Sequence, residues 1–173
     1  VERFCCPSRF MADVCLADNI PLHKVTVLPN PITAPPAEAV SDEAGEAIVY
    51  VGRLSEEKGL SDLLRAVAKI LGQREVRLII VGEGPERTDL EDLARALGIA
   101  TNIELLGYDD NPYKFMANAD VFVLSSLFEG LPSVLVEAMA CATPVVATDC
   151  PSGPAEIIRR PEEGLLVPPA DPE

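Results

Sequence analysis

Tryptophan is absent, aromatic side chains make up only 5% of the 173 residues, and histidine occurs once. A core without aromatic bulk must be filled by Val, Leu, Ile and Ala, and a hydrophobic share of 48% supplies them. His23 stands alone, and Cys5, Cys6, Cys15, Cys141 and Cys150 form no CxxC pair, so no ligand set for a structural metal is present. An odd cysteine count without disulfide-like spacing fits packing thiols in the cytoplasm, although the vicinal Cys5 and Cys6 are open to adventitious oxidation.

Positive charge is scarce as well. Fourteen basic residues, four of them lysine, face 28 acidic ones for a net charge of -14, which repels polyanions and argues against a nucleic-acid partner. Most of those carboxylates read as a solvated surface. No apolar run approaches the roughly 20 residues that span a bilayer, and the opening VERFCCPSRF lacks the regions of a signal peptide. Membrane contact is therefore expected only peripherally, through some other part of the protein. A start without methionine and a stop at PPADPE read as an excised segment.

The length suits one domain that buries roughly 70% of its unfolded surface. Runs rich in β-branched residues recur at 47–52, 76–82, 102–107, 120–126 and 143–148 and read as buried strands, with a shorter one at 24–30. Helical stripes lie between them: Leu60, Leu63, Leu64, Val67 and Ile70, then Leu90, Leu93, Ala94 and Leu97, then Val134, Leu135 and Ala138. Such alternation specifies an α/β fold, a Rossmann-like parallel sheet flanked by helices on both faces. Ser61 and Asp62 mark a first helical turn, Gly72 ends that helix and Pro85 opens the next. The prolines and acids of 31–47 read as a loop.

Ligands of open parallel sheets collect beyond the carboxyl ends of the strands, which directs the search to the residues following each one. RLSEEKGL puts Arg53 and Lys58 on one such loop, a guanidinium fork and a point charge both suited to phosphate. Salt bridging to Glu56 and Glu57 is the equally weighted alternative. FEGLPSVLVEA, residues 128–138, puts Glu129 in a loop and Glu137 about one turn inside a helix whose first amides, around Gly130, Leu131, Ser133 and Val134, open toward an anion or sugar hydroxyls. A carboxylate such as Glu137 can accept from a vicinal diol. VGEGPERTDL carries Arg87 where a dinucleotide fingerprint needs Gly or Ala, so Gly82 and Gly84 read as a strand-to-helix turn. Tyr108 and Tyr113 either stack on a base or pack over strand ends. Cys150, Ser152 and Gly153 form a turn at a strand end, with Glu156 set to cap or line the same cleft.

Taken together, GRLSEEKG, EGLPSVLVEA and TPVVATDCPSGPAEII resemble the donor-binding domain of GT-B glycosyltransferases of glycosyltransferase family 4, from about residue 24 to the end. The resemblance implies one half of a GT-B fold: residues 1–173 as a single nucleotide-sugar-binding domain, with 1–46 as inter-domain helix, short strand and Pro-rich loop, and an N-terminal acceptor domain outside this sequence. It assigns catalysis to Arg53 and Lys58 on the donor diphosphate and to Glu129 on the transferred sugar. Gly52, Tyr108, Gly130, Leu131, Pro132, Ser133, Val134 and Glu137 complete the donor-binding set, with Glu137 on the ribose and Tyr108 beside the base. The implied reaction is retaining transfer from a nucleotide sugar, in polysaccharide or glycolipid synthesis, with no cofactor. No DxD triplet is present for a divalent ion, so no metal is expected. Uridine is the preferred base on family grounds, with ADP- and GDP-sugars open. An epimerase of the same fold and an inactive binding module are the alternatives, and the isolated piece is expected to bind without turnover. One departure from the family pattern is Ala142 in ACATPVV, where relatives carry glycine, so a tight turn is expected to be strained.

Overall fold

The computed structural model describes residues 2–33 and 46–172, so most of the stretch expected as a Pro-rich loop lies outside the described residues. At its start, β1 (Phe4–Cys6) and β2 (Val25–Val27) pair in parallel, joined by the helix α1 (Arg9–Ala17). Ser8 starts that helix by accepting the Met11 amide at 3.2 Å, one of the first-turn donors that lack an intrahelical partner. Residues 1–46 thus contain α1 and the short strand β2 among the described residues.

The main sheet follows: β3 (Ala47–Val51), α2 (Leu60–Leu71), β4 (Arg77–Val81), α3 (Arg87–Ala96), β5 (Ile103–Gly107), α4 (Tyr113–Met116), β6 (Val121–Leu124), α5 (Ser133–Ala140), β7 (Val145–Thr148), α6 (Pro154–Ile157) and β8 (Leu165–Val167). All six strands are parallel, in the order β5-β4-β3-β6-β7-β8. Successive residues of β3 point to opposite sides. Tyr50 joins Leu60, Leu64, Val67 and Leu90 in one core, and Val49 joins Phe122, Leu124, Leu135 and Ala138 in the other. This two-sided burial is why the strands read as continuous apolar runs instead of alternating ones. Pro85 does not open α3, as expected, but lies in the turn before it, and the helix begins at Arg87.

From β3 the chain winds outward one way through β4 and β5, then returns to the middle and winds the other way through β6, β7 and β8. A sheet of this topology opens a crevice where the direction reverses, between the carboxyl ends of β3 and β6. The two loops carrying the candidate residues leave those two strands.

The turn after α5 contains the strain expected at Ala142. The Thr143 amide bonds the Ala138 carbonyl at 3.2 Å and the Ala142 amide bonds that of Met139 at 3.0 Å, a Schellman end whose central residue takes left-handed φ, here 61°. Alanine there costs about 1–2 kcal/mol, more than the about 0.4–1 kcal/mol of unfolded-state freedom that glycine would add. Ala142→Gly is expected to stabilise the protein by about 0.5–1 kcal/mol in urea denaturation.

Candidate functional site

A cleft of about 410 Å³ lies at the reversal point, lined among others by Gly52, Arg53, Lys58, Glu129, Leu131, Pro132, Ser133, Val134 and Glu137. Nine of the residues singled out in the sequence thus meet in one crevice. Lys58 reaches across from the β3 loop and donates to Glu129 Oε1 at 2.7 Å, with side-chain exposures of 20% and 10%. Pairing with Glu56 or Glu57 is not what holds it: Glu57 takes the Ser55 hydroxyl at 2.6 Å, the main reason its carboxyl lies below the ordinary range. A second donor to Glu129 Oε1, at 2.6 Å, is the buried Ser126 hydroxyl, which the sequence reading missed. Thr148 in turn donates to the Ser126 carbonyl.

Desolvating an ion pair costs roughly what its attraction returns, so this one is a weak stability device. Its value lies in placement. Glu129 is fixed by two donors, and Arg53 stands exposed at the rim, its guanidinium without an ion-pair partner among the described residues. No side chain caps the start of α5 and the Leu135 amide is taken by the Pro132 carbonyl, which leaves the Ser133 and Val134 amides for whatever enters the cleft.

Backbone contacts hold the β3 loop rigidly. The Gly52 amide bonds the Val81 carbonyl at 3.0 Å, the Leu54 amide that of Glu83 at 2.9 Å, and the Glu86 amide that of Leu54 at 3.1 Å. Such close lacing needs bare backbone: a Cβ on Gly82 would lie 1.9 Å from the Gly52 carbonyl oxygen, and one on Gly84 2.1 Å from that of Leu54. Beneath the loop, the buried Tyr50 hydroxyl donates to the Arg53 carbonyl at 3.0 Å, and burial raises its pKa far above the ordinary phenol value. Across the cleft, Ser125 of the β6 loop donates to the Lys58 carbonyl at 2.8 Å.

Burial also pushes the Glu137 carboxyl up from its ordinary value. The folded protein therefore holds this proton more tightly than the unfolded chain, and stability falls as pH rises out of the ordinary glutamate range near about 4.3. Glu137→Gln is expected to raise the Tm of the ligand-free protein at pH 7. The gain over the parent, followed across pH, should vanish as pH falls below that range.

Other residues lie elsewhere. Gly130 sits in the loop between Glu129 and the cleft wall, its Cα facing open space. Tyr108 follows β5, two strands from β3, and is 76% exposed outside the cleft lining. Tyr113 packs against the core beside α5 and donates to the Thr33 carbonyl at 3.2 Å. Cys150, Ser152, Gly153 and Glu156 line a separate hollow of about 390 Å³ with Phe10. Glu156 caps α1 instead of lining the main cleft, accepting the Arg9 amide at 2.8 Å and the Phe10 amide at 3.0 Å. Among the described residues no three His, Cys, Asp or Glu side chains gather as a metal site.

Sheet order and the crevice at its reversal point define the class: a Rossmann-like domain of the GT-B glycosyltransferase kind, matching known structures throughout its length. The family model described as Glycosyl transferases group 1 matches residues 34–173, and the chain belongs to that family. The N-acetylgalactosamine-N,N'-diacetylbacillosaminyl-diphospho-undecaprenol 4-alpha-N-acetylgalactosaminyltransferase of Campylobacter jejuni is 42% identical over 120 residues, 69% of this chain and 32% of that protein. The lipopolysaccharide 1,6-galactosyltransferase of Salmonella typhimurium is 31% identical over 165 residues, 89% of this chain and 45% of that protein. Anabaena Alr3699/HepE, crystallised in complex with UDP and glucose, matches 99% of this chain and 51% of its own at a TM-score of 0.91 and 22% identity, a likeness of fold. The chain spans about a third to a half of the length of these relatives.

Proposed function

We propose that this chain supplies the donor site for transfer of a sugar from a nucleoside diphosphate sugar to an acceptor, with retention of anomeric configuration. The observation that carries this reading is the convergence of Arg53, Lys58, Glu129 and Glu137 on one cleft at the sheet's reversal point. Arg53 and Lys58 hold the diphosphate, Glu137 accepts from the ribose hydroxyls, and Glu129 holds the transferred sugar. The α5 amides orient the sugar and its distal phosphate.

Breaking the anomeric C–O bond leaves negative charge on the departing diphosphate. Cations fixed there stabilise the transition state more than the bound donor, which is what lowers a barrier. They take the place of a divalent ion. The acceptor enters on the leaving-group face, from a domain outside this sequence, and any membrane contact of this cytoplasmic protein belongs to that domain. Uridine is the favoured base, supported by the UDP bound to the Anabaena protein of the same fold.

Calorimetric titration with UDP-glucose and other nucleotide sugars in excess EDTA tests this reading. Binding under chelation is the expected result. Binding that appears only on adding a divalent metal overturns the metal-free account, and failure of every nucleotide sugar to bind overturns the donor site.

A further inference from the structure

The loop 149–156 touches the donor loop at one end and the N-terminal helix at the other. At the donor end, the Ser152 hydroxyl donates to the Glu129 carbonyl. Gly153, at φ 89°, lies so close to the same loop that a Cβ would stand 2.6 Å from Pro132 Cδ and 3.1 Å from the Gly130 carbonyl oxygen. Those residues lead directly into α6, where Glu156 turns its carboxylate the other way. Its two oxygens accept the first two amides of α1, 147 and 146 residues distant in the chain.

Together with Ser8, which takes the Met11 amide, Glu156 satisfies the first-turn donors of α1. A carboxylate facing a helix N-terminus also meets the positive end of its dipole. The segment from Ser152 to Glu156 is thus clamped between α1 and the backbone that presents Glu129.

Resting on the donor-site reading above, we infer that Glu156 is a positioning residue for Glu129: by anchoring α6 to α1 it presses Ser152 and Gly153 against the 129–132 loop and so fixes the sugar end of the site. The backbone that carries Arg53 and Lys58 at the diphosphate end has a lacing of its own, to Val81 and the residues after β4. Releasing Glu156 should therefore loosen the grip on the transferred sugar and leave the grip on the nucleoside diphosphate in place.

The test compares UDP with UDP-glucose, or with whichever nucleotide sugar the parent binds, on the intact protein. Glu156→Ala is expected to weaken binding of the nucleotide sugar by about fivefold to tenfold, the size of one or two lost hydrogen bonds. Affinity for the nucleoside diphosphate should change less than about twofold. Ser152→Ala, which leaves the α1 cap intact, should show the same selective loss, and the double variant should lose little more than either alone, because both act through one clamp. Hydrogen exchange at the Arg9 and Phe10 amides should accelerate in Glu156→Ala and not in Ser152→Ala. Equal weakening of both ligands in both variants, or no weakening of either ligand in Ser152→Ala, overturns the positioning role. A parent that binds the nucleoside diphosphate and no nucleotide sugar, or neither, sinks the donor-site reading itself.

Discussion

Lys58→Ala in the full-length enzyme is expected to lower turnover by about 10² to 10³, the range for deleting one fixed donor to developing charge. The ammonium lies in the cleft at the end of β3 and is held by Glu129 at 2.7 Å. Its deletion therefore does two things. It removes a cation from the proposed diphosphate position, and it strips a buried carboxylate of its counter-charge. The second effect is structural: breaking one partner of a buried pair costs about 3–5 kcal/mol where burial is complete, and less here because Ser126 still donates to Glu129. A drop in turnover alone would mix the two. The double variant Lys58→Met with Glu129→Gln separates them, since neutralising both partners removes the uncompensated charge and should return the Tm close to that of the parent. Turnover should stay low, and calorimetry should show the nucleoside diphosphate bound more weakly than by the parent. A double variant that recovers turnover along with stability would assign the pair to folding alone.

How much of this arrangement was legible in the sequence follows from the range of the interactions concerned. Four strands of the main sheet announced themselves because strands buried on both faces are apolar throughout, and the edge strand β5, open to solvent at Glu104 and Leu106, still carried enough apolar residues to be read. The eighth, Leu165–Val167, did not, since three residues before a Pro-Pro pair carry no period. Helix α4 is four residues long and is set by the packing of Met116 into the core with Phe122 and Leu135, so no stripe revealed it. Arg53, Lys58, Glu129 and Glu137 could be singled out, and line one cleft, because strand ends are where a parallel sheet exposes its side chains. The partner of Lys58 was not decided by sequence: Glu56 and Glu57 are near in the chain, whereas Glu129 comes close only once β3 and β6 lie side by side. Ser126 was passed over because a serine at a strand end has no distinguishing spacing. Glu156 was noticed, but the helix it caps is some 147 residues away, and no local rule connects them.

Among the described glycines, Gly82 is where alanine should do the most damage. Position 82 has φ +143°, a conformation an L side chain rarely adopts, and a Cβ there would stand 1.9 Å from the Gly52 carbonyl oxygen. Backbone strain of about 1–3 kcal/mol adds to about 1–3 kcal/mol for forcing two packed segments apart, so destabilisation of about 2–6 kcal/mol is expected in urea denaturation. Neighbouring Gly84→Ala has normal φ but meets the Leu54 carbonyl oxygen at 2.1 Å, so it carries the steric part alone and should cost less. The site should feel both. Moving Gly52 or Leu54 breaks the lacing to Val81, Glu83 and Glu86 that holds Arg53 and Lys58 over the cleft. Binding of the nucleoside diphosphate should therefore fall even at temperatures where the Gly84→Ala protein remains folded by circular dichroism. The contrast with Ala142→Gly makes the measurement specific, because that change relieves strain at the far end of α5 and should raise stability while leaving affinity as it was. If Gly82→Ala unfolded at the same urea concentration as the parent, the loop would have room to yield, and the rigid seating of the two cations would be disproved.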